Sequence, residues 1–319
     1  MATAGSFLEL KKAAELDPAS AADVRARRGI VEAEVSWTIG KYDEMEGPLA
    51  DAASAADELG GAEGRTLRNS ALGWMARSLL LGPTPAEEAR RRCDEILEEA
   101  RGSEAGALEA AASAVSAGLH AMLDDFEEAR KLYRESRRIG EARGLESWLA
   151  ALPLYSGPVE LLARRPDDAR RQLRRGRDLL ERMGDRSRRA TTAAFLAQAL
   201  CEQQRDDEAL RFVREAKGLA GADDVYTQVV WRGALAKVLA RRGERDRARE
   251  RAEEAVKLAE ETDGLNLQGD AYLDLAEVQS ADDPSGAREN AVRARDLYER
   301  KGNVAAVGRA NAFIVELPS

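Results

Sequence analysis

A small residue returns every 39 or 40 positions through most of this chain: Ala89, Ala129, Ala169, Ala209, Ala248 and Ala287. Four of these stand in near-identical surroundings, Pro85-Ala-Glu-Glu-Ala89, Phe126-Glu-Glu-Ala129, Pro166-Asp-Asp-Ala169 and Asp206-Asp-Glu-Ala209. A period of this length excludes a globule with one centre. It marks helical hairpins stacked side by side, each burying its apolar face only against its neighbours. With 44% apolar, 34% charged and only 5% aromatic residues, the chain has the composition of an Ala/Leu/Arg/Glu-rich all-helical protein.

Each period has one grammar: an Ala/Leu-rich helix, a short acidic or Pro-containing turn, then an Arg/Glu-rich amphipathic helix. Glycines stand where the second helices should end, at Gly60, Gly102, Gly144, Gly184, Gly221, Gly264 and Gly302, because a residue after a helix often takes φ > 0. The acids of the turns suit the amide-rich start of the second helix, and Pro85, Pro166 and Pro284 suit its first turn. Two more small ladders accompany the alanines: Ala117, Gly157, Ala197 and Ala236 before them, and Ser136, Gly176, Ala216, Ala255 and Ala294 after them. They let helices approach closely, so a bulky replacement should overpack a junction by about 1–3 kcal/mol.

The pattern predicts an all-α right-handed solenoid of about seven helical hairpins with a C-terminal capping helix, one domain over 1–319. Residues 1–62 are expected to form an atypical first repeat, since the unit around Gly40-Lys-Tyr-Asp-Glu44 is offset and lacks the ladders. Residues 63–302 should form six hairpins of about 40 residues. Residues 303–319, with a helix over about Val304–Leu317, should seal the other end.

The units at Leu196-Ala197, Gln204-Arg-Asp-Asp-Glu-Ala209 and Ala216, and at Leu235-Ala236, Gly243-Glu-Arg-Asp-Arg-Ala248 and Ala255, resemble the tetratricopeptide repeat (TPR) family. That family places small residues at the same three relative positions. It runs about 34 residues per unit, so the longer units here imply longer helices and an altered curvature.

A further set of segments resembles the C-terminal repeat region of bacterial, mainly actinobacterial, multidomain signalling ATPases of the STAND type. They are Leu81-Gly-Pro-Thr-Pro-Ala-Glu-Glu-Ala89 with Arg92-Cys93, Asp223-Asp-Val with Gln228-Val-Val-Trp-Arg232, and Ala236-Lys-Val-Leu-Ala-Arg-Arg-Gly243. Thr262-Asp through Leu267-Gln, Asp274-Leu-Ala-Glu-Val278 and Tyr298-Glu-Arg-Lys-Gly-Asn303 complete the set. In those proteins an adenylate/guanylate cyclase domain and an ATPase domain precede the repeats. The resemblance implies a sensor or interaction arm, either a fragment of such a protein or a free-standing relative of its arm, with an ATPase/cyclase-type domain as one candidate partner. No Gly-x-x-x-x-Gly-Lys-Ser/Thr phosphate loop is present.

A net charge of −9 argues against nucleic acid as the partner. The eleven arginines against five acids in Arg164–Arg189 read as a solvated helix face. Cys93 and Cys201 lie far apart without metal-ligand spacing and read as buried, reduced thiols of a cytoplasmic protein. No apolar run approaches a membrane span. The single histidine, His120, reads as packed or at the groove edge, with no Ser or Cys partner expected at helical spacing. The pairs Asp167-Asp168, Asp206-Asp207, Asp223-Asp224 and Asp282-Asp283 read as caps. Accordingly no catalytic residue, metal site or cofactor is expected.

Binding is expected on the concave face formed by the first helices. Transferring the family's groove positions gives Trp74, Ser78, Gln198, Glu202, Lys237, Arg241, Tyr272 and Gln279, with Cys201 beside them. Trp74 and Tyr272 have an equally good reading as core filler between hairpins. Mid-groove, Ala111, Ala114, Gly118, Leu154 and Leu161 leave the surface small and apolar, and Pro158 should kink its helix. The expected function is a non-enzymatic protein-protein interaction module, holding a peptide, helix or partner domain in the groove. The alternative is a small-molecule effector sensor, with its ligand inside the superhelix near Trp74 or Trp148.

Overall fold

The computed structural model describes residues 18–318, and every regular element among them is helical. Helix α1 (Pro18–Thr38) pairs with α2 (Glu46–Leu59), α3 (Gly61–Leu81) with α4 (Ala86–Gly102), and α5 (Gly106–Met122) with α6 (Phe126–Ala142). The next first helix comes in two pieces, α7 (Glu146–Ala151) and α8 (Pro153–Leu162), packed on α9 (Pro166–Arg182). Then α10 (Arg186–Glu202) pairs with α11 (Asp206–Leu219), α12 (Val225–Arg241) with α13 (Arg245–Glu260), and α14 (Leu265–Gln279) with α15 (Pro284–Lys301). Helix α16 (Val304–Glu316) follows α15. First helices of successive hairpins also pack on each other, from α3 through α5, α8, α10 and α12 to α14, which makes the array a solenoid. The start of the 1–62 unit lies outside the described residues.

The small ladders are the seams between helices. All six periodic alanines are fully buried. A Cβ at Gly157 would lie 2.6 Å from Leu173 Cγ, and one at Gly176 would lie 2.8 Å from Pro153 Cγ. The first hairpin has small residues of its own in another register: a Cβ at Gly29 would meet the Pro48 carbonyl at 2.2 Å and Ala52 at 3.0 Å.

The turns of the central hairpins also repeat. Left-handed backbone recurs after first helices at Asp124, Arg164, Gln204 and Gly243, and after second helices at Glu104, Gly144 and Gly184. Of the expected terminators, Gly60, Gly144, Gly184 and Gly302 take positive φ. Gly102 does not, since Glu104 takes that conformation nearby. Gly264 instead begins a helix, as the N-cap of α14 with φ −75°.

Asp224 and Asp283 cap helices through the amides of Thr227 and Gly286, as do Asp125 and Asp185 with Glu128 and Arg188. The pairs Asp167-Asp168 and Asp206-Asp207 make no side-chain cap. They sit in a first turn and bind arginines, Asp206 holding Arg241 and Asp207 holding Arg242. The break in the fourth hairpin falls at Leu152-Pro153, with Pro158 inside the resumed helix. Pro153 lacks the N–H that would continue the ladder.

The two ends of the array meet. Asp263, before α14, accepts from the amides of Tyr42 (3.0 Å) and Asp43 (2.9 Å), while its own amide donates to the Gly40 carbonyl at 3.0 Å. Fully buried Lys301, at the end of α15, donates to the carbonyls of Leu79, Gly82 and Thr84 at 2.9, 2.8 and 2.7 Å. These carbonyls lie at and beyond the C-terminus of α3, where the helix dipole favours a cation. Burial pushes the Lys301 ammonium down, to about 7, against the opposing pull of Asp263. The three carbonyls further favour its charged form. Helix α16 completes the closure by packing on both α15 and α5.

Candidate functional site

Closure turns the concave face into an interior cavity of about 470 Å³. Its wall has two halves. Leu80 and Leu81 of α3, Gly118 and Met122 of α5, Leu154, Leu161 and Leu162 of α8, and Phe195 of α10 make one half apolar. Gln198 and Glu202 of α10, Lys237 of α12, Asn266, Asp270, Asp274 and Glu277 of α14, and Arg309 and Glu316 of α16 make the other polar.

The polar half is organised around Lys237. Its ammonium lies 2.9 Å from Asp274 Oδ1, 3.4 Å from Glu277 Oε2 and 3.5 Å from Glu202 Oε1. Burial works against that charge, but Asp274, Glu277 and Glu202 outweigh it and hold the lysine well above its ordinary range. Burial likewise raises the Asp274 carboxyl, with Lys237 opposing and Glu277 adding to the rise. Gly233 of α12 accommodates this carboxylate, since a Cβ there would lie 2.0 Å from Asp274 Oδ2. Beside the cluster, Arg309 donates to Asp270 (2.7 Å) and to the Tyr298 hydroxyl (2.9 Å). Asn303 donates to Asn266 at 2.9 Å.

Of the eight groove positions expected from the sequence, the structure brings Gln198, Glu202 and Lys237 to this wall. The other five are placed elsewhere. Trp74 packs edge-on against Trp37 (centroids 5.5 Å apart) in the N-terminal core, and Ser78 is buried, donating to the Met75 carbonyl. Arg241 pairs with Asp206 across the α10–α11 turn. Tyr272 is buried, donating to Glu260 beneath Arg293, and Gln279 is buried, accepting from Asn290. Trp148 also stands away from the cavity, donating to Ser136 and packing on Tyr155. Tyr155 itself lines the cavity, so Trp148 stands one side chain behind the wall.

The transferred register missed Asn266, Asp270, Asp274 and Glu277, which recur at helical spacing on α14. Tyr272 and Gln279 each follow a lining residue by two positions, about 200° around a helix of 3.6 residues per turn, on the opposite face. A polar stripe in an otherwise Ala/Leu-rich first helix was the available signal. On α16, Ala306, Arg309, Phe313 and Glu316 line the cavity at the same helical spacing, half of them apolar. This helix, expected only to seal an end, is part of the wall.

Elsewhere the chemistry is structural. His120 Nδ1 lies 3.4 Å from Asp125; contrary to expectation a serine, Ser116, does stand one turn before it, but it donates to Asp94 instead. Burial pushes the Cys93 thiol up to about 12 and that of Cys201 to about 11, the latter against the pull of Lys237 and Arg241. In the arginine-rich segment, Arg177 and Arg189 share Glu215, and Arg165 binds Asp168. Among the described residues no group of three or more His, Cys, Asp or Glu is placed to hold a metal ion. No helix there is long and apolar enough to cross a membrane.

No protein-family profile matches the sequence, and no curated protein matches it. Solved structures do share the architecture. The chain superposes on the APC/C hetero-tetramer Cut9–Hcn1 with a TM-score of 0.61 at 9% identity, covering 96% of this chain and 58% of that one. It superposes on a signal transduction ATPase with numerous domains from Pyrococcus horikoshii, which carries a tetratricopeptide repeat sensor, with a TM-score of 0.55 at 12% identity, covering 97% and 51%. A Rap protein complexed with Competence and Sporulation Factor gives 0.56 at 12% identity, covering 93% and 87%. The fold is a TPR-type solenoid. The chain spans little more than half the length of the first two of these TPR-type proteins.

Proposed function

We propose that this TPR-type solenoid is a non-enzymatic recognition module, the regulatory arm of a bacterial signalling system in the cytoplasm, and that its interior holds a short extended peptide from a partner protein. The cavity carries this reading. At about 470 Å³ it lies within the range of ligand sites, about 300–1,000 Å³. An extended segment suits a wall with one apolar and one polar half, and the Rap complex shows a protein of this architecture with a bound factor. The same dimensions favour a small-molecule effector as the second reading.

The test fills the interior. Peptides from a digested bacterial lysate are ultrafiltered with the chain and with a Leu161→Trp variant, and the retained species are identified by mass spectrometry. The proposal expects peptides held by the wild type and lost from the variant, with the circular dichroism melt unchanged. Peptides held equally by both would place binding on the outer face and overturn it. Retention of non-peptidic metabolites alone would establish the effector reading instead.

A further inference from the structure

The cavity wall carries five carboxylates, Glu202, Asp270, Asp274, Glu277 and Glu316, against three cations, Lys237, Arg309 and Arg164. Two of those cations are already engaged. Lys237 is shared among three carboxylates and Arg309 is held by Asp270, while Arg164, in the turn after α8, and Glu316, at the end of α16, are both exposed, leaving four carboxylates against two cations. The acids are not equally engaged. Glu202 and Glu277 each reach Lys237 through one oxygen, at 3.5 and 3.4 Å, and keep side-chain exposures of 51% and 35%. Each thus has an acceptor oxygen left for a ligand in a partly open cavity whose other lining residues are largely apolar. Solvent screens charges there less than in bulk water, so surplus negative charge discriminates by sign.

We propose that the cavity selects a cationic group, an amine or guanidinium carried on an apolar body, and seats it between Glu202 and Glu277 with the apolar part against Leu154, Leu161 and Phe195. For a peptide this means a lysine or arginine beside aliphatic residues. An anionic group would meet the unpaired oxygens of the same carboxylates and be repelled. The proposal rests on the peptide-binding reading and adds the sign of charge to it.

The test uses the full chain and a synthetic pool of N-acetylated, C-amidated hexapeptides in which Leu, Lys, Arg, Asp, Glu and Gln are randomised in equal proportion. Retained peptides are sequenced for the wild type and for the Glu202→Gln/Glu277→Gln variant. The wild type is expected to enrich Lys and Arg over Asp and Glu at least tenfold, with the enrichment falling as salt is raised. The variant is expected to retain peptides without that preference. Retention with no charge bias, or with an acidic bias, overturns the charge selection and leaves peptide binding standing. A cationic bias unchanged in the variant overturns the assignment to Glu202 and Glu277. No retention above a protein-free control overturns both this proposal and the peptide reading. A single well-behaved binder, remeasured by calorimetry with Lys replaced by Gln, checks the tenfold figure.

Discussion

Among the described residues two lysines are buried, and they do opposite things. Lys301 closes the solenoid and is surrounded by neutral acceptors, three backbone carbonyls at 2.7–2.9 Å, with no exposure left. Lys237 lines the cavity and faces three carboxylates at 2.9–3.5 Å, two of which remain open to the interior. The first site is complete, since every proton of the ammonium has an acceptor and the seam admits nothing more. The second has more negative charge than its lysine balances. Burial alone therefore does not identify a functional lysine in a solenoid. Unbalanced charge around it is what singles out Lys237 for the proposed binding role.

The strongest way to break the comparison is Lys301→Met, which keeps the stem and removes the ammonium. Hydrogen bonds to a charged donor are worth about 1.5–3 kcal/mol each, and buried carbonyls left without a donor add a desolvation cost. The expected loss is about 3–5 kcal/mol in urea unfolding. Proteolysis should first appear in the 82–85 turn, where the clamp lands. A loss below about 1 kcal/mol would show that Asp263 and the α5–α16 contact close the array without Lys301.

A smaller effect with a distinctive pH dependence is expected from Lys237→Met. Removing the lysine leaves Asp274 beside Glu277 with no cation between them. Half-exposure of Glu202 and Glu277 screens part of that repulsion, so the cost at pH 7 should be about 2 kcal/mol. The sign follows from Asp274, whose carboxyl is already raised by burial and rises further without its lysine. A carboxyl with a folded pKa above its unfolded one binds protons more tightly in the folded state, so stability grows as pH falls through that window. Lys237→Met should therefore recover most of its loss between pH 7 and pH 5, relative to wild type. The loss in Lys301→Met should recover by only about 0.4 kcal/mol, because a lysine held down at about 7 completes its protonation just below pH 7 and the carbonyls do not titrate. Parallel pH curves for the two variants would erase the distinction drawn between the two sites.

The solenoid was legible because its physics is local and repeated. A Cβ at Gly157 or Gly176 would collide with the neighbouring helix, the equivalent places in most other hairpins hold alanine or serine, and this repetition makes the constraint visible. The closure was not legible, because it happens once. Nothing in Lys301 distinguishes it from a solvated lysine until the curvature brings α3 to it, 222 residues away in the chain. Part of the cavity wall lay between these cases. Gln198, Glu202 and Lys237 came from a transferred register, and that register failed on α14, where it selected Tyr272 and Gln279 on the packed face. Units longer than the family's rotate the exposed stripe, and only the stripe's own spacing, Asn266 to Asp270 to Asp274 to Glu277, records the rotation.

The two thiols offer the gentlest test, since labelling them need not change stability in the folded chain. Cys93, in α4 beyond the seam, is held up at about 12 by burial, and Cys201, in α10 beside Lys237, at about 11. At pH 8 both are protonated and enclosed, so iodoacetamide should modify neither in the wild type over hours, and both within minutes in urea. Local opening then distinguishes the sites. Lys301→Met loosens the turn before α4, and should accelerate labelling of Cys93 more than that of Cys201. Lys237→Met should show the reverse order of acceleration, because it disturbs the α10–α12 contact. It also removes the cation that draws the Cys201 thiol downward, so the gain at Cys201 should be smaller than opening alone would give. Equal acceleration of both thiols in either variant would mean that seam and cavity open as one unit, and that the two lysines guard a single cooperative structure.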